Sequence, residues 1–146
     1  MRRILSGLCL CLLTTAAVVG FAEDKEFNAT CPVSGKAATK DFSADYKGAK
    51  VYFCCEKCQA AFGKEQATFT VKSNAQLVQT GQAKQTKCPF SGKPLNPDIK
   101  VKIGEIDVGF CCNSCKASAS KLKGDDQMAA VFADAPFKKG FEVKKP

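Results

Sequence analysis

The chain has 146 residues, of which 45% are hydrophobic and 25% are charged, and its formal net charge is +8. It contains ten cysteines and no histidine, which excludes imidazole metal ligands, and it shows no paired acidic motif of the kind that hydrolases use. We therefore expect a protein that is not an enzyme.

The first 22 residues have the pattern of a secretory signal peptide. Arg2 and Arg3 precede an apolar run over residues 4–21, and the small residues Gly20 and Ala22 form a cleavage site. A membrane anchor is the alternative, but the run of 18 residues is short for a membrane span and contains serine and threonine. The sequence predicts an exported protein, periplasmic or secreted, with no stable membrane anchor after cleavage.

The chain that would remain after cleavage is basic through lysine alone. It has 20 lysines, no arginine and 14 acidic residues, which gives a net charge of about +6. Base readout and phosphate clamping favour the planar, bidentate guanidinium of arginine. An all-lysine surface is more typical of solubility or of weak attraction to an anionic envelope, so we expect no nucleic-acid partner.

One cysteine pattern occurs twice, at a constant offset of 57 residues. Residues 31–58 align with residues 88–115 without a gap, with eleven identities in 28 positions. The identical pairs are Cys31/Cys88, Pro32/Pro89, Ser34/Ser91, Gly35/Gly92, Lys36/Lys93, Asp41/Asp98, Val51/Val108, Phe53/Phe110, Cys54/Cys111, Cys55/Cys112 and Cys58/Cys115. Because every cysteine after residue 30 belongs to this pattern, we infer that one small module has been duplicated.

The repeat divides the chain into six segments. These are a signal peptide at 1–22, a polar lead at 23–30, a first repeat at 31–75, a linker rich in Gln, Thr and Lys at 76–87, a second repeat at 88–135 and a basic tail at 136–146. Each repeat, at about 45 residues, has a size at which a hydrophobic core alone is usually insufficient. Metals or disulfides are therefore expected to stabilise it.

In each repeat the predicted elements follow the same order. A tight turn, Cys-Pro-x-Ser-Gly-Lys, opens at Cys31 and Cys88, where proline restricts φ and glycine permits positive φ. A β-hairpin follows, which turns near residues 47–48 in the first copy and 104–105 in the second. Both hairpins lead into Phe-Cys-Cys-x-x-Cys, where helices are predicted to begin. A short strand is also predicted over residues 141–143 of the tail.

A turn cysteine, a hairpin and cysteines at a helix start form the layout of treble-clef-like zinc modules, in which the hairpin folds back onto the helix. The predicted fold is therefore α+β, with two tandem small ββα treble-clef-like zinc-finger modules after the signal peptide. The expected metal ligands are Cys31, Cys54, Cys55, Cys58, Cys88, Cys111, Cys112 and Cys115. The partial positive charge of a helix N-terminus favours thiolates there.

Such a turn usually carries a second ligand, but here that position holds Ser34 in the first repeat and Ser91 in the second. Serine is a poor zinc ligand. Each repeat then offers three cysteine ligands and one spare thiol, Cys55 or Cys112. The spare thiol can complete a four-thiolate set, pair with its counterpart in the other repeat, or leave an open position that suits metal exchange. An all-sulfur site favours Zn(II), with Cu(I) or another soft metal ion as alternatives.

Both copies resemble the YHS/TRASH-type metal-binding domain, in which one cysteine is followed, after a spacer and an aromatic residue, by Cys-x-x-x-Cys. The residues that carry this motif are Cys31, Phe53, Cys54 and Cys58 and, in the second copy, Cys88, Phe110, Cys111 and Cys115. The resemblance covers residues 31–70 and 88–125, and it implies a compact ββα fold used in heavy-metal sensing, trafficking or resistance. We expect metal ions as ligands and a metal-handling or envelope protein as a partner. The chain departs from the common form of the family in its turn serines and its spare thiols.

Two other uses of the cysteines stay open. After cleavage of the signal peptide eight cysteines would remain, which is an even number, and export would place them in an oxidising compartment. A disulfide-stapled or structural-zinc interaction module is therefore the main alternative. The segments 55–58 and 112–115 are CxxC motifs at predicted helix starts, as in thiol-redox proteins. Against redox chemistry, the repeat is too short for a thioredoxin-like domain and lacks its βαβ pattern.

Overall fold

The computed structural model describes residues 27–144, and the predicted signal peptide lies outside them. The elements in chain order are β1 (Thr39–Tyr46), β2 (Ala49–Phe53), α1 (Glu56–Lys64), a 3-10 turn (Gln66–Phe69), α2 (Thr70–Gln79), β3 (Ala83–Gln85), β4 (Asn96–Ile103), β5 (Ile106–Phe110), α3 (Asn113–Lys121), α4 (Gly124–Phe132), α5 (Asp134–Gly140) and β6 (Phe141–Val143). Within this range the strands form three two-stranded sheets. The predicted mixed α+β class is confirmed.

The two predicted hairpins are present, and each leads into a helix. In the first, Lys47 and Gly48 form the turn with φ of 52° and 79°, as a tight two-residue hairpin loop requires. In the second, Gly104 has φ of 59°. Both ladders also shift register at equivalent places, before Ser43 in the β1–β2 pair and before Lys100 in the β4–β5 pair. The duplication therefore extends from the sequence to an irregularity of the backbone.

The core beneath each hairpin is aromatic. Phe53 of β2 and Phe62 of α1 are fully buried, with ring centroids 5.2 Å apart. In the second repeat Phe110 is also fully buried, and the ring of Phe90 packs 5.5 Å from it. The position equivalent to Phe62 is Ala119, so the second module fills its core from the turn side instead of from the helix. Phe53, Phe62 and Phe110 thus form the centre of the core beneath the two hairpins.

The two repeats pack against each other through α2 and α4. The buried Asn74 of α2 donates a hydrogen bond to the carbonyl of Phe132 at 2.8 Å, and Lys47 forms an ion pair with Asp134. The strands β3 and β6 also pair, antiparallel and centred on Lys84 opposite Glu142. The two strands occupy nearly equivalent places, each after the helices of its own repeat. Their antiparallel pairing therefore resembles a two-fold interface, in which equivalent elements of two copies contact each other. The repeats share one core.

Residues 76–87, which the sequence predicts to be a linker, carry regular secondary structure. This segment holds the end of α2, including the fully buried Gln76 and Leu77, and all of β3. Its glutamine amides bond to the backbone of the hairpins, as described below. The basic tail likewise contains most of α5 and, as predicted, a strand over residues 141–143. The boundaries assigned to the two repeats stay a prediction.

None of the helices within residues 27–144 has the length and apolar character needed to cross a membrane.

Candidate metal centres

Three cysteines of the first repeat bring their sulfur atoms together from three different elements. Cys31 lies in the opening turn, Cys54 directly follows β2, and Cys58 lies in the first turn of α1. Their Sγ atoms all lie within 4.8 Å of one another, and those of Cys54 and Cys58 are 3.6 Å apart. An ion bonded to thiolates at about 2.3 Å would hold their sulfur atoms about 3.8 Å apart. The spacing therefore suits a metal ion at the centre of the triad.

The second repeat reproduces this arrangement with Cys88, Cys111 and Cys115. Their Sγ atoms also lie within 4.8 Å of one another, with 3.8 Å between those of Cys111 and Cys115. In both triads the turn cysteine is buried and the other two are half-buried. Within residues 27–144 no other group of three or more metal-ligating side chains converges in this way. Two sites of the same geometry could thus each hold a metal ion.

The opening turn places its cysteine through two backbone hydrogen bonds. The amide of Cys31 donates to the Lys36 carbonyl at 2.7 Å, and the amide of Gly35 donates to the Cys31 carbonyl at 2.9 Å. Gly35 adopts φ of 74°, and the equivalent Gly92 adopts 70°, a left-handed conformation that residues with a Cβ seldom adopt. The predicted turn is confirmed, and its glycine serves to close it.

The turn serine contacts the triad, which sequence reasoning did not foresee. Ser34 Oγ lies 3.1 Å from Cys54 Sγ, and Ser91 Oγ lies 3.1 Å from Cys111 Sγ. Each serine also accepts a hydrogen bond from the amide two residues further on, at 3.3 Å in both repeats. In each repeat a hydroxyl thus lies beside two of the three triad sulfur atoms, those of the turn cysteine and of the cysteine that follows the hairpin. The signal in the sequence that could have revealed this contact is that both repeats have serine at the same position of the turn.

The spare thiols lie at the edge of the triads. Cys55 Sγ is 3.8 Å from Cys54 Sγ, and Cys112 Sγ is 3.6 Å from Cys111 Sγ. Neither spare cysteine belongs to a group of three or more whose sulfur atoms all lie within 4.8 Å of one another. Cys55 is half-buried and Cys112 is exposed. Of the eight cysteines considered as ligands, the structure therefore brings six together in two triads and leaves these two beside them.

The turn cysteines have thiols of lowered pKa. Burial raises the pKa of Cys31, but hydrogen bonds from the Ser34 hydroxyl and from nearby backbone amides outweigh it and bring the pKa from 9.0 to about 7. Cys88 experiences the same opposing effects, with the Ser91 hydroxyl as the leading hydrogen-bond partner, and its pKa falls to about 6. The turn serine therefore favours the thiolate form, which is the form that binds metals.

The helix cysteines have the opposite character. Burial, followed by hydrogen bonds with the neighbouring sulfur atoms, raises the pKa of Cys58 and of Cys115 to about 12. The pKa of Cys55 and of Cys112 is lowered, first by the backbone N–H of the helix cysteine three residues on. At neutral pH the thiolate therefore predominates at Cys88 and is partly formed at Cys31, while the helix cysteine of each triad keeps its proton. A bound cation would displace that proton, since a positive ion favours the charged form of every thiol around it.

Two glutamines from residues 76–87 hold the segments that carry the ligands. Gln76 bonds both to the amide and to the carbonyl of Tyr52 at 2.7 Å, and to the carbonyl of Thr30 at 2.9 Å. Thr30 immediately precedes Cys31, and Tyr52 lies two residues before Cys54. A single buried side chain therefore ties the turn to the hairpin at the first site.

Gln85 has the same role at the second site. It bonds to the amide and the carbonyl of Gly109 at 2.8 Å, and to the carbonyl of Lys87 at 3.2 Å. Gly109 and Lys87 are the equivalents of Tyr52 and Thr30 at the offset of 57 residues. Gln76 and Gln85 are not equivalent positions of the duplication, because Gln76 follows the first repeat whereas Gln85 precedes the second. Self-comparison of the sequence could not reveal them.

Comparison with protein-family models, with curated proteins and with solved structures found no match for this chain. Its function must therefore be inferred from the cysteine geometry.

Proposed function

We propose that this is an exported, non-enzymatic protein that binds one soft metal ion in each repeat through three cysteine thiolates. The proposed ligands are Cys31, Cys54 and Cys58 in the first site and Cys88, Cys111 and Cys115 in the second. Zn(II) is the first candidate, with Cu(I) or another soft ion as alternatives. The proposal includes the treble-clef-like form of each module and its kinship with YHS/TRASH-type domains. The observation that carries it is the convergence of three sulfur atoms at both sites.

The sulfur distances favour a metal over disulfides. The separations of 3.6 and 3.8 Å match thiolates around an ion and exceed the bond length of about 2.05 Å in a disulfide. A triad also contains an odd number of sulfur atoms, so pairing within it would leave one thiol behind. The lowered pKa of the turn cysteines supports the same conclusion, because a thiolate is the metal-binding form.

The identity of the fourth neighbour favours a site that exchanges its ion. Structural zinc sites are usually closed by four strong protein ligands, whereas sites with three protein ligands keep an open position. Here the side chain beside the three cysteines is the hydroxyl of Ser34 or Ser91, 3.1 Å from one triad sulfur, and a hydroxyl is a poor ligand for a soft ion. We therefore favour metal buffering or trafficking, with a metal-handling or envelope protein as partner, over a purely structural role for zinc.

Native mass spectrometry of the protein, purified from its export compartment without added reductant or chelator, tests the proposal. We expect two metal ions per chain in the native spectrum and, once acid has released them and the thiols have regained their protons, the mass of the fully reduced chain. Cys58→Ser and Cys115→Ser should each remove one ion, and the double variant should remove both, while the exposed Ser120→Ala serves as control. A chain without metal that has lost about two mass units per bond would establish disulfides and overturn the proposal.

A further inference from the structure

The turn cysteine is the most deeply buried of the four cysteines in each repeat. In the second repeat Cys88 is fully buried, Cys111 and Cys115 are half-buried, and Cys112 is exposed. In the first repeat Cys31 is likewise fully buried, and the other three cysteines are half-buried. Both spare cysteines are therefore more accessible to solvent than the turn cysteine of their triad.

The spare thiols lie where the helices beside the triads begin. Cys55 and Cys112 are the N-cap residues of α1 and α3, with extended backbones, and the backbone amides of Cys58 and Cys115 face their sulfur atoms. Serine, threonine, aspartate and asparagine are the residues that stabilise an N-cap, through such a bond. Both repeats carry a thiol at a position where a hydroxyl or a carboxylate would cap the helix more strongly, which points to a use beyond capping.

We propose that Cys55 and Cys112 are exchange ligands, through which a metal ion passes between its triad and an acceptor that presents thiolates. This rests on the proposed function, since it requires a metal ion at the triad. Each spare sulfur lies within 3.8 Å of one triad sulfur, so a small side-chain rotation brings it to bonding distance of an ion held there. The neighbouring hydroxyl leaves the ion a coordination position that a sulfur can take.

The exchange step conserves charge and oxidation state. The Cys55 thiol loses its proton as its sulfur bonds to the ion, the bond between the ion and Cys54 breaks, and the proton ends on the Cys54 sulfur. Three thiolates remain on the ion, and neither the metal nor any sulfur is oxidised or reduced. A thiolate of the acceptor can then replace a second triad ligand by the same exchange, from the exposed side. Cys112 and Cys111 perform the equivalent step in the second repeat.

The test compares the wild-type protein, loaded with Zn(II), with the double variant Cys55→Ser/Cys112→Ser. Serine is a favoured N-cap, so the helices should form as before, and circular dichroism checks this. Transfer of Zn(II) to an excess of a dithiol chelator is followed by stopped flow, and affinity is measured separately by equilibrium competition. Asn113→Ser, an exposed substitution beside Cys112, is the matched control.

We expect the double variant to keep two zinc ions with nearly unchanged affinity and to transfer them about tenfold more slowly, which corresponds to about 1.4 kcal/mol in activation free energy. Transfer at the wild-type rate would overturn the inference and leave the proposed function intact. A loss of stoichiometry, or of affinity by tenfold or more, would also overturn it by making the spare thiols resident ligands. Failure of the wild-type protein to bind any metal would refute the proposed function together with the inference.

Discussion

Replacement of Gln76 by alanine should destabilise the protein and weaken its first metal site. The substitution removes three hydrogen bonds and leaves one backbone N–H and two carbonyls, those of Tyr52 and Thr30, without their partner. A buried polar group left unsatisfied costs about 1–3 kcal/mol. Because these backbone groups are only partly buried, the lower value applies to each, and we expect a loss of about 3 kcal/mol in the free energy of unfolding.

Urea denaturation of the reduced, metal-free protein measures this loss. With a slope of about 1.5 kcal/mol/M, a loss of about 3 kcal/mol lowers the midpoint by about 2 M. Zinc competition on the loaded protein measures the effect on binding, which we expect to be about tenfold at the first site, as for other residues that orient metal ligands. The second site, held by Gln85, should keep its affinity.

Two further variants make the result interpretable. Gln85→Ala should reverse the pattern and weaken the second site alone, because its bonds go to Gly109 and Lys87. Gln66→Ala, at an exposed position, should change the free energy of unfolding by less than about 0.5 kcal/mol. If Gln76→Ala were no more destabilising than Gln66→Ala, the assignment of Gln76 as the residue that joins turn and hairpin would be refuted.

Two more predictions concern the triads themselves. Changing both Ser34 and Ser91 to cysteine should supply a fourth thiolate to each site. Zn(II) should then bind at least about tenfold more tightly and exchange more slowly. Unchanged binding in a competition assay would show that the serine side chain does not face the ion. Since the pKa values of Cys31 and Cys88 are lowered from 9.0 to about 7 and about 6, these thiols are thiolates above those values, and metal affinity should fall as the pH drops through them. Ultraviolet absorbance of the metal-free protein should show this early thiolate step. Cys31→Ser/Cys88→Ser should remove its part at lowest pH and leave the thiolates of Cys55 and Cys112, whose pKa is also lowered. A first step near pH 9 in the wild-type protein would contradict the assignment.

Much of the candidate site could be predicted because its ligands lie close in sequence. The turn is encoded by proline and glycine, the hairpin by a short loop between β-rich residues, and the helix start by the segment after Phe53. Once these three local structures form, the hairpin returns the chain to the point where it began, and Cys31 meets Cys54 and Cys58. Local conformation thus brings the three cysteines of each triad together. The second repeat has the same cysteine spacing, which supports this inference independently.

What the sequence could not determine depends on contacts between distant residues. Gln76 reaches Thr30 across 46 positions, and Asn74 reaches Phe132 across 58. In a linear pattern these residues are indistinguishable from solvated ones, because an amide is polar whether it bonds to water or to a buried backbone group. Only the packing of α2 against α4, with β3 beside β6, turns polar residues 76–87 into supports for both metal sites. The sequence by itself determined which cysteines converge, and the tertiary structure decided how the two triads are held, because side-chain hydrogen bonds between distant segments leave no periodic signal in the chain.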